Sequence, residues 1–320
     1  MSQDKILIQT PAKINLFLKV LNKRKDGYHN IISGVTFVNL FDEIEVIEDE
    51  KNIIKYHGQF KPSQGYYDDC IIKKLIEKLI FTRDAKLNIN IKKNIPVQSG
   101  LGSASSNAAG LIMALTKLNL LDKKNIFNDS FFLNFGTDIA CFLYNKNCII
   151  KDTGSTIVPH QYPKYFFLLI KPSIGFSTKE MYSNLDLKNN NKPYIQKDYI
   201  SNNLGNDFKD IASNKSQEIK NILNYLQSTK GLLFANITGS GSCCFAAYKE
   251  KSFDGMIHEY YVQTSAQDFV AVGLWESEEK LGAARPEMIA FLDKLRPLLE
   301  ELSPELGVTD PVSGPVMFSA

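Results

Sequence analysis

A stretch of small residues, Pro96–Gly110 (PVQSGLGSASSNAAG), runs directly into the apolar segment LIMALTKLNLL at 111–121. This order predicts a loop leading into a helix N-terminus, where exposed backbone N–H groups and the helix dipole favour an anion. Glycine, alanine and serine side chains let a phosphate group come close to such a backbone. No Gly-Lys-Ser/Thr follows, so the stretch is not a Walker A loop. The alternative interpretation is an ordinary capped helix that packs through small residues.

A second glycine-rich segment, Thr238–Ser242 (TGSGS), separates the apolar stretches 232–237 and 243–248. Taken alone, this arrangement is typical of a hairpin turn between two strands. Successive backbone N–H groups in a turn of this kind can also form a concave anion site. Both interpretations stay open on the sequence of this segment alone.

Two charged residues stand at positions where an element is expected to begin. Lys13 follows Pro11-Ala12 near the start of an apolar strand, and Asp138 follows Gly136-Thr137 before an apolar segment. Each charge by itself is typical of a solvated surface. Together they could form a carboxylate base positioned by an ammonium group, as needed to take a proton from a hydroxyl that attacks a phosphate.

Apolar periodicity along the rest of the chain predicts strands mixed with helices, which favours an α+β fold over a doubly wound parallel sheet. Lys25–Gly27 is a turn signal, and the asparagine-rich stretch 184–206 predicts a loop. The predicted strands cover 5–20, 33–48, 86–95, 148–160 (a hairpin), 165–172 (buried) and 232–248 (two strands). The predicted helices cover 67–82, capped by Asp68-Asp69, the apolar part of 95–121, two short helices in 128–144, and 216–229.

The composition is that of a soluble globular protein: 320 residues, 44% hydrophobic and 22% charged. It excludes a disordered or collagen-like chain, and no apolar run reaches the roughly 18 residues of a membrane helix. The first residues, MSQDKILIQTPAK, contain no apolar secretion segment. The five cysteines form no C-x-x-C pair, so reduced thiols and a cytoplasmic location are expected. No nucleic-acid or membrane partner is expected.

The near-neutral total charge conceals a break in composition. Residues 1–250 carry 32 basic and 23 acidic side chains, a net charge of +9, whereas residues 251–320 carry 5 and 12, a net charge of −7. All 26 asparagines lie in the first part. Such asymmetry indicates two compositional origins. A divergent ending, a natural fusion and a chain joined from two sources remain alternatives.

Four motifs in order resemble the GHMP kinases: PAKINLFLKVLNKRKDGYH (11–29), IPVQSGLGSASSNAA (95–109), GTDIACF (136–142) and ITGSGSCCFA (237–246). The resemblance covers about residues 5–250 and implies a two-domain α+β fold with ATP and Mg²⁺ as cofactors. It implies an ATP-binding and catalytic domain at 1–155, a C-terminal domain at 156–253 that is shortened, and an atypical tail at 254–320. The GYH triplet resembles one branch of the family in particular. That branch phosphorylates the 2-hydroxyl of 4-(cytidine 5′-diphospho)-2-C-methyl-D-erythritol in the non-mevalonate isoprenoid pathway.

The resemblance assigns roles residue by residue. Asp138 matches the catalytic aspartate, and Lys13 matches the lysine that holds it in its charged form. Tyr28 and His29 match the pair that recognises cytosine, and Tyr182 falls where an aromatic ring lies against that base, as stacking would require. The residues that match the ATP phosphate loop and its flanks are Lys93, Pro96, Gly100, Gly102, Ser103, Ser105, Ser106 and Asn107.

Some of the matched positions carry further expectations. Gly239 and Gly241 match the motif near the substrate diphosphate, and Ser105 or Ser106 is the expected magnesium ligand. Ser103 and Ala104 replace two glycines of the loop GLGGGSSNAA that is frequent in the family. Cys70 stands where an asparagine is usual near the adenine pocket.

Two further functions remain as alternatives. The chain could be a GHMP kinase of the mevalonate or homoserine type, or a non-catalytic chain whose tail is a dimerisation module. Residues 257–320 predict two strands, a helix with Met288, Ile289, Leu292, Leu295, Leu298 and Leu299 on one face, and a closing strand at GPVMFSA. The pattern around Trp275 resembles the second half of an antibiotic-biosynthesis-monooxygenase-like, ferredoxin-type domain. Such domains usually dimerise through their sheets, so a homo-oligomer is one expected state.

Overall fold

The computed structural model of the protein describes residues 5–62, 70–79, 81–121, 129–187, 205–249, 256–263 and 269–295. The chain divides into two compact units, Met1–Lys249 and Glu250–Ala320, and each unit is described by itself. The boundary between them coincides with the change in charge and asparagine content after residue 250. The further division of the first unit at 155/156 stays a prediction.

Two long antiparallel strands organise the main sheet of the first unit, and the predicted turn at Lys25–Gly27 joins them. Pro11 lies at a register shift in the first of these strands, so its missing N–H does not interrupt the regular ladder. Among the described residues the order is β3-β4-β2-β5-β6, with β1 also paired to β2, and only the β3–β4 pair is parallel. The strands are β1 (Lys5–Lys23), β2 (His29–Asp49), β3 (Ile53–His57), β4 (Lys86–Lys92), β5 (Cys148–Asp152) and β6 (Thr156–Pro159).

Four helices accompany this sheet: α1 (Ile71–Lys78), α2 (Ser103–Lys117), α3 (Asp129–Phe135) and α4 (Ile139–Tyr144). The helix α2 is buried along most of its length and packs on β1 and β2. Gly110 makes this close packing possible, because a Cβ atom there would lie 2.4 Å from the Thr10 side chain and 2.9 Å from that of Ile44. The predicted pair of short helices on either side of Gly136-Thr137 is confirmed.

The first unit also contains a second sheet and three more helices. The elements are β7 (Tyr165–Ile170), α5 (Thr178–Ser183), α6 (Lys209–Lys215), α7 (Gln217–Gln227), β8 (Leu232–Ile237) and β9 (Cys244–Lys249). The sheet is antiparallel, with the order β7-β9-β8 in the described residues. The helix α7 packs on β8 and β9 through the buried side chains of Ile219, Leu223 and Leu226, which confirms the predicted amphipathic helix. Ser216 caps this helix by accepting a hydrogen bond from the backbone N–H of Ile219 at 3.4 Å.

The predicted helix at 67–82 is shorter in the structure and has a different cap. It spans Ile71–Lys78, and the Cys70 sulfur accepts a hydrogen bond from the backbone N–H of Lys73 at 3.4 Å. A buried thiol therefore takes the capping position, while Asp68 and Asp69 lie outside the described residues. Most of the predicted loop at 184–206 lies outside them as well.

The strand β7 forms where it is expected, but the prediction that it is buried was wrong. Phe166 and Leu168 are 43% and 42% exposed. The alternate side chains, Tyr165, Phe167 and Leu169, pack against a cluster that includes residues of β1. A strand with only one covered face buries every second side chain, whatever the hydrophobicity of the others.

The second unit contains a hairpin and a helix in its described residues. The strands β10 (Met256–Gln263) and β11 (Phe269–Trp275) pair antiparallel, and α8 (Glu278–Leu295) follows. The predicted two strands and helix are thus confirmed. Of the apolar face expected for this helix, Ile289 is 51% exposed, and Leu298 and Leu299 lie outside the described residues. The predicted closing strand lies outside the described residues, and the ferredoxin-type extension stays a prediction. None of the helices in the described part of the chain is long and apolar enough to cross a membrane.

Candidate active site

The loop before α2 presents backbone rather than a side-chain cap at the start of the helix. Gly102 occupies the capping position with a left-handed φ of 77°, and within the described residues no side-chain hydrogen bond caps the helix. The first N–H groups of the helix, together with the positive end of the helix dipole, form a site suited to an anion. The geometry fits the phosphate-binding interpretation of Pro96–Gly110.

The two glycine-rich segments lie against each other. A Cβ atom on Gly100 would be only 2.1 Å from the carbonyl oxygen of Thr238, so glycine is required where the two backbones meet. A Cβ atom on Gly239 would lie 3.0 Å from the Gly100 oxygen and 3.2 Å from Lys13 Nζ. The backbone N–H of Cys243 donates to the Ser99 oxygen at 3.0 Å. The hairpin interpretation of Thr238–Ser242 and the anion-site interpretation are therefore compatible.

Lys13 and Asp138 meet beside these segments. Lys13 Nζ lies 3.8 Å from Asp138 Oδ2, with the lysine side chain 4% and the aspartate side chain 34% exposed. The backbone N–H of Lys13 donates to the Leu101 oxygen at 3.0 Å, which ties β1 to the loop before α2. We call these two residues the open pair, because the carboxylate remains accessible from the cleft while the ammonium group is buried.

Two polar residues that sequence reasoning missed hold the open pair in place. Lys13 Nζ donates to Asn15 Oδ1, and the Asn15 amide in turn donates to the Ser33 hydroxyl at 2.7 Å. The Thr238 hydroxyl accepts from the Asn15 backbone N–H at 3.0 Å and donates to the Gly100 oxygen at 3.3 Å. Both residues stand inside the quoted motifs, PAKINL and ITGSGS, so their position next to the assigned residues was the available signal.

A second lysine–aspartate pair lies beneath the start of α2. Lys93 Nζ donates to Asp42 Oδ2, to the Ser103 hydroxyl and, at 2.8 Å, to Asn107 Oδ1. Asp42 is fully buried, and we call Lys93 and Asp42 the buried pair. Burial lowers the pKa of the Lys93 ammonium group, and the charge of Asp42 and its hydrogen bond oppose that shift. Sequence reasoning missed Asp42, which lies in FDEIEV without any motif of its own.

The side chains predicted to bind ATP separate into two groups. Those of Lys93, Ser103 and Asn107 point into the protein around Asp42. The Ser106 hydroxyl also points inward and donates to the Pro11 oxygen at 2.7 Å. Ser105 is half-buried and lines the cleft, as do Pro96, Gly100 and Gly102. Lys93, Ser103 and Asn107 also border the cleft, although their polar side-chain atoms bond to Asp42.

The residues predicted to recognise cytosine lie together. The rings of His29 and Tyr182 stack with centroids 4.8 Å apart and an interplanar angle of 28°, and Tyr182 also contacts Phe208 edge-on. The Tyr28 hydroxyl donates to the Leu133 oxygen at 2.8 Å. Burial, with the nearby Lys23 charge, lowers the pKa of His29 and favours its neutral form, and burial raises the pKa of Tyr182.

All of the predicted site residues except Ser106 line one cleft of about 1370 Å³ in the first unit, whereas Asp42 and Thr238 are not among its lining residues. The open pair and the two glycine-rich segments line it together with the His29–Tyr182 stack. Within the described residues, no group of three or more histidine, cysteine, aspartate or glutamate side chains could hold a metal ion. A cleft with backbone anion sites, a carboxylate and an aromatic stack can hold two phosphorylated ligands and carry a proton transfer.

Comparisons with known proteins show which family the chain resembles. The family model for the N-terminal domain of GHMP kinases matches residues 69–146, and the model for the GHMP kinase C-terminal domain matches residues 193–258. A 4-diphosphocytidyl-2-C-methyl-D-erythritol kinase of Francisella tularensis is 33% identical over 246 residues, covering 75% of this chain and 86% of the relative. The kinase of the same name from Buchnera aphidicola is 32% identical over 263 residues, with 78% and 87% covered.

A solved structure carries the same fold. The crystal structure of a 4-(cytidine 5′-diphospho)-2C-methyl-D-erythritol kinase superimposes with a TM-score of 0.61 at 22% identity, covering 78% of this chain and 91% of that one. The resemblance read from the four motifs and the predicted α+β fold are thereby confirmed. The chain belongs to the GHMP kinase family of ATP-dependent small-molecule kinases.

Proposed function

We propose that the chain transfers the γ-phosphate of ATP to the 2-hydroxyl of 4-(cytidine 5′-diphospho)-2-C-methyl-D-erythritol. The observation that carries this proposal is the open pair, which lies where the two glycine-rich segments meet in one cleft. The identity of about one third with kinases named for this substrate supports the choice of acceptor. The net charge of +9 on residues 1–250 suits two polyanionic ligands.

The open pair supplies the proton chemistry of the transfer. Asp138 accepts the proton of the substrate hydroxyl as its oxygen attacks the γ-phosphorus, and the bond from that phosphorus to the bridging oxygen of ADP breaks. Lys13 positions the carboxylate and stabilises negative charge that develops on the transferred group. Asn15 also accepts a hydrogen bond from the Lys13 ammonium group and helps to fix it, so the pair needs little rearrangement before reaction.

The phosphates of ATP are held by the backbone of the first glycine-rich loop. The uncapped N–H groups that follow Gly102 bind phosphate oxygens, and Gly239 and Gly241 border the path to the acceptor diphosphate. Magnesium, when bound, neutralises phosphate charge and orients the γ-phosphate. Among the two expected ligands, the Ser105 hydroxyl is available in the cleft, whereas that of Ser106 is committed to Pro11. An oxygen ligand of this kind fits Mg²⁺, so Ser105 would hold the ion.

The aromatic stack supplies selectivity for the cytidine part of the acceptor. Neutral His29 can donate or accept a hydrogen bond at the edge of a base, while Tyr182 offers a flat ring for stacking. In the structure the two rings cover each other, so base binding would exchange one stacking contact for another. Tyr28, half-exposed at the margin of the cleft, completes this group of three.

A phosphoryl-transfer assay on the full chain tests the proposal. The acceptors to compare are the cytidyl compound and 2-C-methyl-D-erythritol 4-phosphate, which lacks the cytidine part. Transfer to the first, with far lower kcat/KM for the second and loss of transfer in Asp138→Asn, is the expected result. Equal transfer to both acceptors would instead identify a GHMP kinase of another specificity.

A further inference from the structure

The Asp42 carboxylate connects both sides of the loop that precedes α2. Its Oδ1 accepts hydrogen bonds from the backbone N–H groups of Asn94 and Ile95 at 2.7 and 2.8 Å. Its Oδ2 accepts from the Ser103 hydroxyl at 2.8 Å and from the Asn107 amide at 3.1 Å, in addition to Lys93. Residues 94 and 95 precede the loop, and residues 103 and 107 belong to the first two turns of the helix. One carboxylate therefore fixes the distance between the two ends of the loop.

Lys93 has no proton left for a phosphate. An ammonium group donates three hydrogen bonds, and those of Lys93 reach Asp42, Ser103 and Asn107. The side chain is 4% exposed, and its charge is compensated at contact distance by Asp42. The pair as a whole adds no net charge to the cleft, so it cannot attract ATP as a free lysine would. What it can do is hold the loop.

We propose that Asp42 is a positioning residue. Together with Lys93, it keeps the phosphate loop in the geometry that binds ATP. This inference rests on the proposed function, because it assumes that the loop binds ATP. Phosphate binding by backbone N–H groups requires several of them to point at one place, and a displacement of about 1 Å can cost on the order of a hundredfold in rate. Asp42 keeps these N–H groups aligned without itself contacting the nucleotide.

The arrangement predicts a selective loss of nucleotide affinity. In Asp42→Asn the amide oxygen can still accept from Asn94 and Ile95, but the charge that compensates Lys93 disappears. The start of α2 is then no longer held, and the dissociation constant for MgATP should rise about tenfold or more. The cytidyl acceptor contacts another part of the cleft, so its dissociation constant should stay within about twofold, since no residue of that part is altered.

Isothermal titration of the full chain with MgATP and, separately, with the cytidyl acceptor measures both constants. Asp207→Asn is the matched control: Asp207 pairs with Lys19 at 2.7 Å and accepts from the backbone N–H of Val20 at 2.8 Å, but neither side chain lines the cleft. This variant should leave both constants unchanged. Loss of both affinities alike in Asp42→Asn, or unchanged MgATP affinity in a folded variant, would overturn the inference.

A second variant covers the case in which Asp42→Asn fails to fold. Asp42→Asn combined with Lys93→Met replaces the buried pair by neutral groups of similar size, an exchange that buried ion pairs often tolerate. Weakened MgATP binding in this folded double variant supports the inference, and wild-type affinity contradicts it. Failure of the wild-type chain to bind MgATP would refute the proposed function and this inference together. MgATP binding without transfer to the cytidyl acceptor would refute only the proposed acceptor.

Discussion

The open pair and the buried pair contain the same two residue types, and both lysines line the same cleft, yet the surroundings of the two pairs differ. Asp138 is 34% exposed and lies 3.8 Å from Lys13, whereas Asp42 is fully buried and in direct contact with Lys93. In the buried pair every ammonium proton is committed within the protein, so the pair can only maintain structure. In the open pair the carboxylate remains available to a reactant. Accessibility, rather than residue type, therefore distinguishes the roles that we propose for the two pairs.

The largest effect is expected from Asp138→Asn, which removes the base of the open pair. We expect kcat for transfer to the cytidyl acceptor to fall about 10²- to 10⁴-fold, the usual contribution of a positioned base. The melting temperature should hardly change, because the side chain is partly solvated. Steady-state kinetics and a thermal melt measure the two quantities. If the variant retained more than about a tenth of wild-type kcat, the loss would be smaller than the loss of a general base produces, which would contradict this role for Asp138.

The same substitution in the buried pair should instead lower the free energy of unfolding. Asp42→Asn leaves the Lys93 charge uncompensated in the interior, and breaking a buried pair in this way costs about 3–5 kcal/mol of folding free energy. Urea unfolding followed by circular dichroism measures the change. The control is Glu45→Gln, which removes the exposed partner of Lys5 and should cost less than about 1 kcal/mol. Equal costs for the two substitutions would show that Asp42 is not energetically distinct.

Tyr182→Ala should change substrate binding without affecting either pair. Loss of stacking on a base costs about 1–3 kcal/mol, which corresponds to a rise in KM for the cytidyl acceptor of roughly 5- to 150-fold. KM for ATP should remain near the wild-type value. Tyr182→Phe keeps the ring and serves as the control. If KM for ATP rose as much as KM for the acceptor, Tyr182 would be supporting the whole cleft rather than one ligand.

The open pair could be predicted from sequence because both residues stand in motifs with a family resemblance. The main strands and helices could be predicted for a related reason, since apolar periodicity over 5–10 or 216–229 reflects burial on one face. Residues 12–18, later in the same strand, are buried on both faces. Asp42 could not be found in this way. Its importance comes from contacts with residues 51 to 65 positions away, and nothing adjacent to it in the chain indicates them. Likewise, β7 was expected to be buried because its sequence is apolar, whereas exposure depends on what covers each face.

The smallest effects are expected at two adjacent serines, Ser105 and Ser106. Like the two pairs, they differ in that one side chain faces the cleft and the other bonds within the protein. The Ser105 hydroxyl lines the cleft, so Ser105→Ala should raise the Mg²⁺ concentration for half-maximal activity about two- to tenfold, the value of one lost polar contact. The Ser106 hydroxyl donates to Pro11, so Ser106→Ala should cost about 1 kcal/mol of folding free energy and leave the Mg²⁺ requirement unchanged. Magnesium titrations of activity and urea unfolding measure both variants. If Ser106→Ala changed the Mg²⁺ requirement and Ser105→Ala did not, side-chain orientation at the start of α2 would not determine which serine meets the ion.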